Sequence, residues 1–140
     1  MPAIRRTINI AAAPREVWKA LTTADGIKRW WADEARVDAR EGGRIVLTAE
    51  GDDGQPVEER GIFHEVRPIR KVEIAWDSNS PAVTKGTRIE FQVARDGDET
   101  QLNLVHSGGG PLDDEAQREA LDDSWRQALT ALRDSLEQGA

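Results

Sequence analysis

The chemistry available to this 140-residue chain centres on two histidines, His64 and His106, and on five tryptophans. His106 is in phase with Leu102 and Leu104 along an alternating segment, so it points to the same covered side at the end of its strand. An inward histidine serves either as a hydrogen-bonded structural group or as a general base. The second role needs a carboxylate, a water or a substrate proton within reach. Gly61 marks either a bulge or a close backbone approach; His64 shares parity with Ile62 and Val66, but a bulge at Gly61 would reverse that phase. Glu65 and Asp77 are carboxylates able in principle to pair with a histidine, although nothing in the spacing requires it. No residue is assigned a catalytic role.

The tryptophans, each a large apolar body with one N–H, suit both core packing and ligand contact. Trp30 and Trp31 lie about 100° apart around a short helix, with Ile27 between them on the wheel. On that geometry they point different ways, Trp30 into the core and Trp31 towards the mouth of any cavity; a purely structural role for both fits equally well. A second pattern lies on the last helix, where Ser124, Ala128, Ala131 and Ser135 follow one another at steps of four, three and four. Small residues facing a sheet either allow close contact or leave a void. If a void exists, Trp31, Ser124, Ala128 and Ala131 line its helical side. Phe63, Trp76, Phe91, Leu104 and His106 line it from the strands.

Other chemistries lack their motifs. Two histidines and no cysteine form no metal-ligand cluster at recognised spacing. Asp52-Asp53-Gly54 lacks the remaining ligands of a calcium loop and reads as a solvated turn. Gly108-Gly109-Gly110 is followed by no Gly-Lys-Ser/Thr, and Asp113 and Asp114 occupy the place an anion would take. No Gly-x-Ser-x-Gly elbow is present. No cofactor is expected.

The elements that must position these residues follow from periodicity. Ile4, Ile8 and Ile10 alternate on a first strand. Pro14 opens a helix whose Val17, Trp18 and Leu21 share a face. Thr23 caps a second short helix running to about Trp31. The period then changes to two. Strands are expected over 36–40, 44–49 and 57–66, then around Val72, Ile74 and Trp76, around Thr87 to Val93, and around Leu102 to His106. Turn signals at Glu41-Gly42-Gly43, Gly51 to Gly54 and Asp96-Gly97-Asp98 separate them. The end of the chain, Leu112 to Gln138, carries Leu121, Trp125, Leu129, Leu132 and Leu136 within an arc of about 80°. Asp113, Asp114 and Glu115 suit its first turn, and Gly139 its C-terminal stop. Strands joined by tight turns make an antiparallel sheet with one covered face, and only the last helix is long enough to cover it.

Bulk composition describes a soluble globular chain best read as one domain over 1–140, with 38% hydrophobic and 32% charged residues. A net charge of −7 without a concentrated basic face argues against nucleic acid. No apolar run reaches membrane-spanning length and no signal peptide is visible, so neither a membrane nor export is expected. The lack of cysteine fits the cytoplasm.

Several stretches resemble the SRPBCC or START-like superfamily, and within it the activator of Hsp-90 ATPase homologue-like group. They are Ala13-Pro14-Arg15-Glu16-Val17-Trp18-Lys19-Ala20-Leu21-Thr22, Ile27-Lys28-Arg29-Trp30-Trp31, Gly42-Gly43 and Gly61-Ile62-Phe63-His64-Glu65-Val66-Arg67-Pro68. Ile74-Ala75-Trp76, Thr100 through His106-Ser107-Gly108, and Trp125 to Leu132 complete the set. The order is kept over nearly the whole chain. Ser124 stands where the group usually has glycine before the tryptophan of the last helix. The resemblance implies an α+β helix-grip fold, a curved antiparallel sheet wrapped around one long C-terminal helix. It also implies an apolar ligand held between sheet and helix. A protein partner, as for the co-chaperones that name the group, and a cyclase- or dehydratase-like activity are the alternatives. The scaffold residues that carry the resemblance do not choose among them.

Overall fold

The computed structural model describes residues 3–51, 53–77, 85–108 and 110–138. Its elements follow the expected order. β1 (Ala3–Ile10) leads into α1 (Pro14–Thr22) and α2 (Ala24–Ile27). Six strands follow: β2 (Glu34–Val37), β3 (Arg44–Glu50), β4 (Pro56–Arg67), β5 (Lys71–Trp76), β6 (Arg88–Asp96) and β7 (Glu99–Ser107). A 3-10 turn over Gly110–Asp113 then leads into α3 (Glu115–Gln138). The seven strands form one antiparallel sheet in the order β1-β7-β6-β5-β4-β3-β2.

The alternation read from the sequence sets the two faces. Ile74, Ile89, Phe91, Leu102, Leu104 and His106 are buried, while their neighbours Glu73, Glu90 and Arg88 form ion pairs on the outer face. Lys71 Nζ lies 3.1 Å from both Glu65 and Glu90. These contacts lower the Glu65 pKa, chiefly through its hydrogen bond with Lys71, and raise that of Lys71. The inner face receives α3 through Trp125, Leu129 and Leu132, all buried, with Leu121 and Leu136 half-buried at the ends of the same stripe. Arg6 fixes the register of β1 against α3, its Nε and Nη2 donating to the two carboxylate oxygens of Asp122 at 2.7 and 3.1 Å.

Four local expectations are corrected or resolved. β2 occupies Glu34–Val37, not 36–40, because Asp38 and Arg40 are drawn into the turn. There the Arg40 N–H donates to Asp38 O and the Gly43 N–H to Arg40 O. α2 ends at Ile27, so the pair Trp30–Trp31 follows the helix and the wheel does not apply to it. Of the two readings of Gly61, the close approach holds and the bulge lies elsewhere. The register shifts between Phe63 and Glu65, leaving His64 as the extra residue. Gly61 instead marks a close approach: a Cβ there would lie 2.9 Å from the Ala75 carbonyl oxygen and 2.9 Å from the Trp76 ring. Finally, α3 begins at Glu115, with Asp114 accepting from the Ala116 N–H. Gly139, read as its C-terminal stop, and parts of the Asp52-Asp53 and Gly108-to-Gly110 turns lie outside the described residues.

Candidate functional site

Trp31 organises the interior between helix and sheet. The Trp30–Trp31 ring centroids are 5.2 Å apart and the planes 25° from parallel, so the two indoles stack and do not diverge. Trp30 is the buried partner, held by an N–H bond to the Ala20 carbonyl at 2.9 Å. Trp31 is half-buried and meets Trp125 at 5.6 Å, Phe91 at 5.7 Å and Trp76 at 6.0 Å between centroids. Edge-on and stacked contacts of this kind add roughly 0.5–1.5 kcal/mol each beyond burial. The turn after α2 therefore wedges one aromatic ring among residues from β5, β6 and α3.

Beside that wedge a cleft of about 300 Å³ opens to the surface, at the lower end of the range for ligand sites. α3 contributes Leu121, Ser124, Trp125 and Ala128 to it, the α2–β2 segment contributes Trp31, and the sheet contributes Glu59, Ile89 and His106. Volume alone does not single it out, since hollows of about 270 and 320 Å³ occur elsewhere on the surface. Its lining does: neither of those two hollows has an aromatic wall.

The floor of the cleft is a fully buried hydrogen-bonded chain. The Trp125 indole N–H donates to His106 Nδ1 at 3.0 Å. An indole nitrogen can only donate, so Nδ1 must be the acceptor and the ring proton sits on Nε2. Nε2–H then donates to Thr87 Oγ1 at 2.8 Å. Burial pushes the His106 pKa down to about 4. The geometry agrees, because a proton on Nδ1 would face the Trp125 N–H. His106 is thus held neutral in one tautomer with both nitrogens engaged. It shapes the floor and offers no lone pair to a substrate.

His64 is elsewhere. It projects from the β4 bulge on the outer face, its side chain 56% exposed, with Nε2 3.9 Å from Glu73. Glu65, considered as a histidine partner, bonds to Lys71 and Arg67 instead.

The remaining candidates divide into three groups. Trp31, His106, Ser124 and Ala128 border the cleft together. Phe63, Phe91 and Leu104 are wholly buried and Trp76 nearly so; they form the layer behind the cleft, not its surface. Ala131 is corrected outright, being exposed and absent from the lining. Ser135 lines a different hollow, beside Ala11 to Ala13. The Ser/Ala stripe therefore winds from the cleft rim out to solvent. Its steps of four, three and four keep it at the edge of the buried arc, where each residue's exposure depends on what covers it.

Four lining residues went unassigned in the sequence. Leu121 and Trp125 belong to the anchoring stripe of α3, and Ile89 to the inward face of β6, so all three read as core. Glu59 had a usable signal. It shares parity with Gly61 and Phe63 on the inward side of β4, but an acidic residue there runs against the expectation for a covered face. Trp76 is also distinctive. Its Nε1 is the one buried side-chain polar atom among the described residues with no hydrogen-bond partner. Leaving such a donor unpaired costs about 1–3 kcal/mol.

Comparison with known proteins agrees with this architecture. No curated protein matches the chain by sequence. Among solved structures, the Aha1 dimer from Colwellia psychrerythraea is 26% identical, with a TM-score of 0.83 over 98% of this chain and 97% of that one. Protein NE0264 from Nitrosomonas europaea shares the fold at 20% identity, TM-score 0.84, covering 99% and 96% of the two chains. CalU16 from Micromonospora echinospora is 26% identical, with a TM-score of 0.73 over 93% of this chain and 73% of that one. The profile described as Activator of Hsp90 ATPase homolog 1-like protein matches residues 11–137. The chain belongs to the activator of Hsp90 ATPase homolog 1-like family.

Proposed function

We propose that this protein binds an apolar small molecule, without catalysis, in the cleft between α3 and the inner face of the sheet. The observation that carries the reading is Trp31. It packs against aromatic residues from three other elements and still presents surface to a cleft walled by Trp125, Ile89 and Leu121. The locked His106 supports a role in shaping the site and not in proton transfer. The lack of cysteine and of a membrane-crossing helix among the described residues fits a cytoplasmic carrier or sensor.

The test uses recombinant protein and N-phenyl-1-naphthylamine, an uncharged fluorescent probe, together with gentle mass spectrometry for a co-purified molecule. Saturable probe binding is expected, with loss in Ala128→Trp, where an indole would fill the cleft. Binding of unchanged affinity in that variant, if it folds with the parent's near-ultraviolet circular dichroism, would overturn the assignment.

A protein partner is the second reading, favoured by the β4–β5 turn. Ile69 is 41% exposed there and has φ 62°, a conformation that β-branched residues rarely adopt, between Pro68 and Arg70. Stimulation of Hsp90 ATPase by the wild type, lost in Ile69→Gly, would support it. No stimulation at micromolar concentration would count against it.

A further inference from the structure

The charge of the cleft lining narrows the class of ligand. Among the described residues that line it, Glu59 is the one with a formal charge, and it shares the lining with Trp31 and Trp125. Its place is set by register. Glu59 pairs with Leu47 of β3 and lies two residues before Gly61, on the inward side of β4. Most side chains on that side are apolar and buried, Leu47, Ile45 and Phe63 among them. A half-buried carboxylate in such a row is costly unless a partner meets it, and Glu59 has one.

A carboxylate in a lining otherwise without formal charge favours a cation over an anion, and the net charge of −7 adds a favourable long-range field. We infer that the cleft selects a cationic amphiphile, an alkyl or aryl amine or quaternary ammonium, over neutral and anionic molecules of the same apolar skeleton. The inference rests on the ligand-binding reading above. It does not require the Glu59 carboxylate to be unbonded, since its charge acts on the cleft whatever else it accepts from.

The test titrates the full chain at pH 7.5 with octylammonium, 1-octanol and octanoate, read by tryptophan fluorescence and calorimetry. Octylammonium should bind roughly tenfold more tightly than octanol, with octanoate the weakest. Glu59→Gln should abolish the preference of amine over alcohol, read as the ratio of the two affinities within that variant. If that variant does not fold, raising salt on the wild type serves in its place: the preference should shrink while octanol binding holds or strengthens. Equal affinity for amine and alcohol, or a preference that survives both Glu59→Gln and high salt, would overturn the inference and leave apolar ligand binding intact. Failure of all three ligands and of N-phenyl-1-naphthylamine would remove the ligand-binding reading itself.

Discussion

The two ends of the space between α3 and the sheet are built from similar residues and finished differently. Towards the C-terminus of α3, Leu129 and Leu132 meet a sheet that α1 also covers, and Ile10, Val17 and Leu21 leave no exposed surface. Towards its N-terminus, Leu121 and Trp125 meet the sheet beside Trp31, and the space stays open as the cleft. The difference comes from the third wall. A helix lying across the groove closes it, while a turn that inserts one bulky ring from the side props it apart. Dense packing and an open cleft thus share one helix because α1 and the α2–β2 segment cover only part of it.

Leu132→Ala offers the largest contrast. A fully buried leucine replaced by alanine should cost about 2–5 kcal/mol in urea unfolding, with probe affinity at the open end unchanged. Trp31→Ala should do the reverse, costing less stability than a fully buried tryptophan and abolishing probe binding. Equal effects of the two variants on both readouts would erase the distinction between the ends.

The hydrogen-bonded floor should show in pH dependence. His106 has a pKa of about 4 in the folded protein and about 6.5 unfolded, so between those values the unfolded chain binds more protons. Stability contributed by the neutral ring is fully present above pH 6.5 and is lost as pH falls towards 4. The loss is roughly 3 kcal/mol on the order-of-magnitude conversion. Trp125→Phe should flatten that slope by freeing Nδ1 to take a proton, measured by urea titration across the same window. Gly61→Ala comes next, at about 1–3 kcal/mol, because its Cβ would meet the Ala75 carbonyl and the Trp76 ring that backs the open end. Arg6→Ala should be smallest. The Arg6–Asp122 pair is partly solvated at side-chain exposures of 31% and 43%, so about 1 kcal/mol or less is expected in thermal or urea unfolding.

Much of this organisation was legible in the chain. Alternation placed Val72, Ile74 and Trp76 inward. The three- and four-residue steps from Leu121 to Leu136 defined the gripping face of α3. Parity put His106 on the covered side, although its bonding was hidden because Thr87 and Trp125 come from other elements. The stacking of Trp30 on Trp31 was misread, since a helical wheel was extended past the last helical residue. Ala131 was misplaced for a related reason: helical phase gives a direction around α3 but says nothing of how far the sheet reaches.

Sequence by itself therefore determined the element order, the covered face of the sheet and the residues that anchor α3. Those follow from periodicity, which is local and repeats often enough to average out exceptions. Tertiary structure alone decided that one end of the grip stays open, that His106 is locked between the Trp125 donor and the Thr87 acceptor, and that Glu59 is the one charged group among the described residues lining the opening. Each of these depends on single side chains from distant segments meeting at one point, and no local pattern encodes such a meeting.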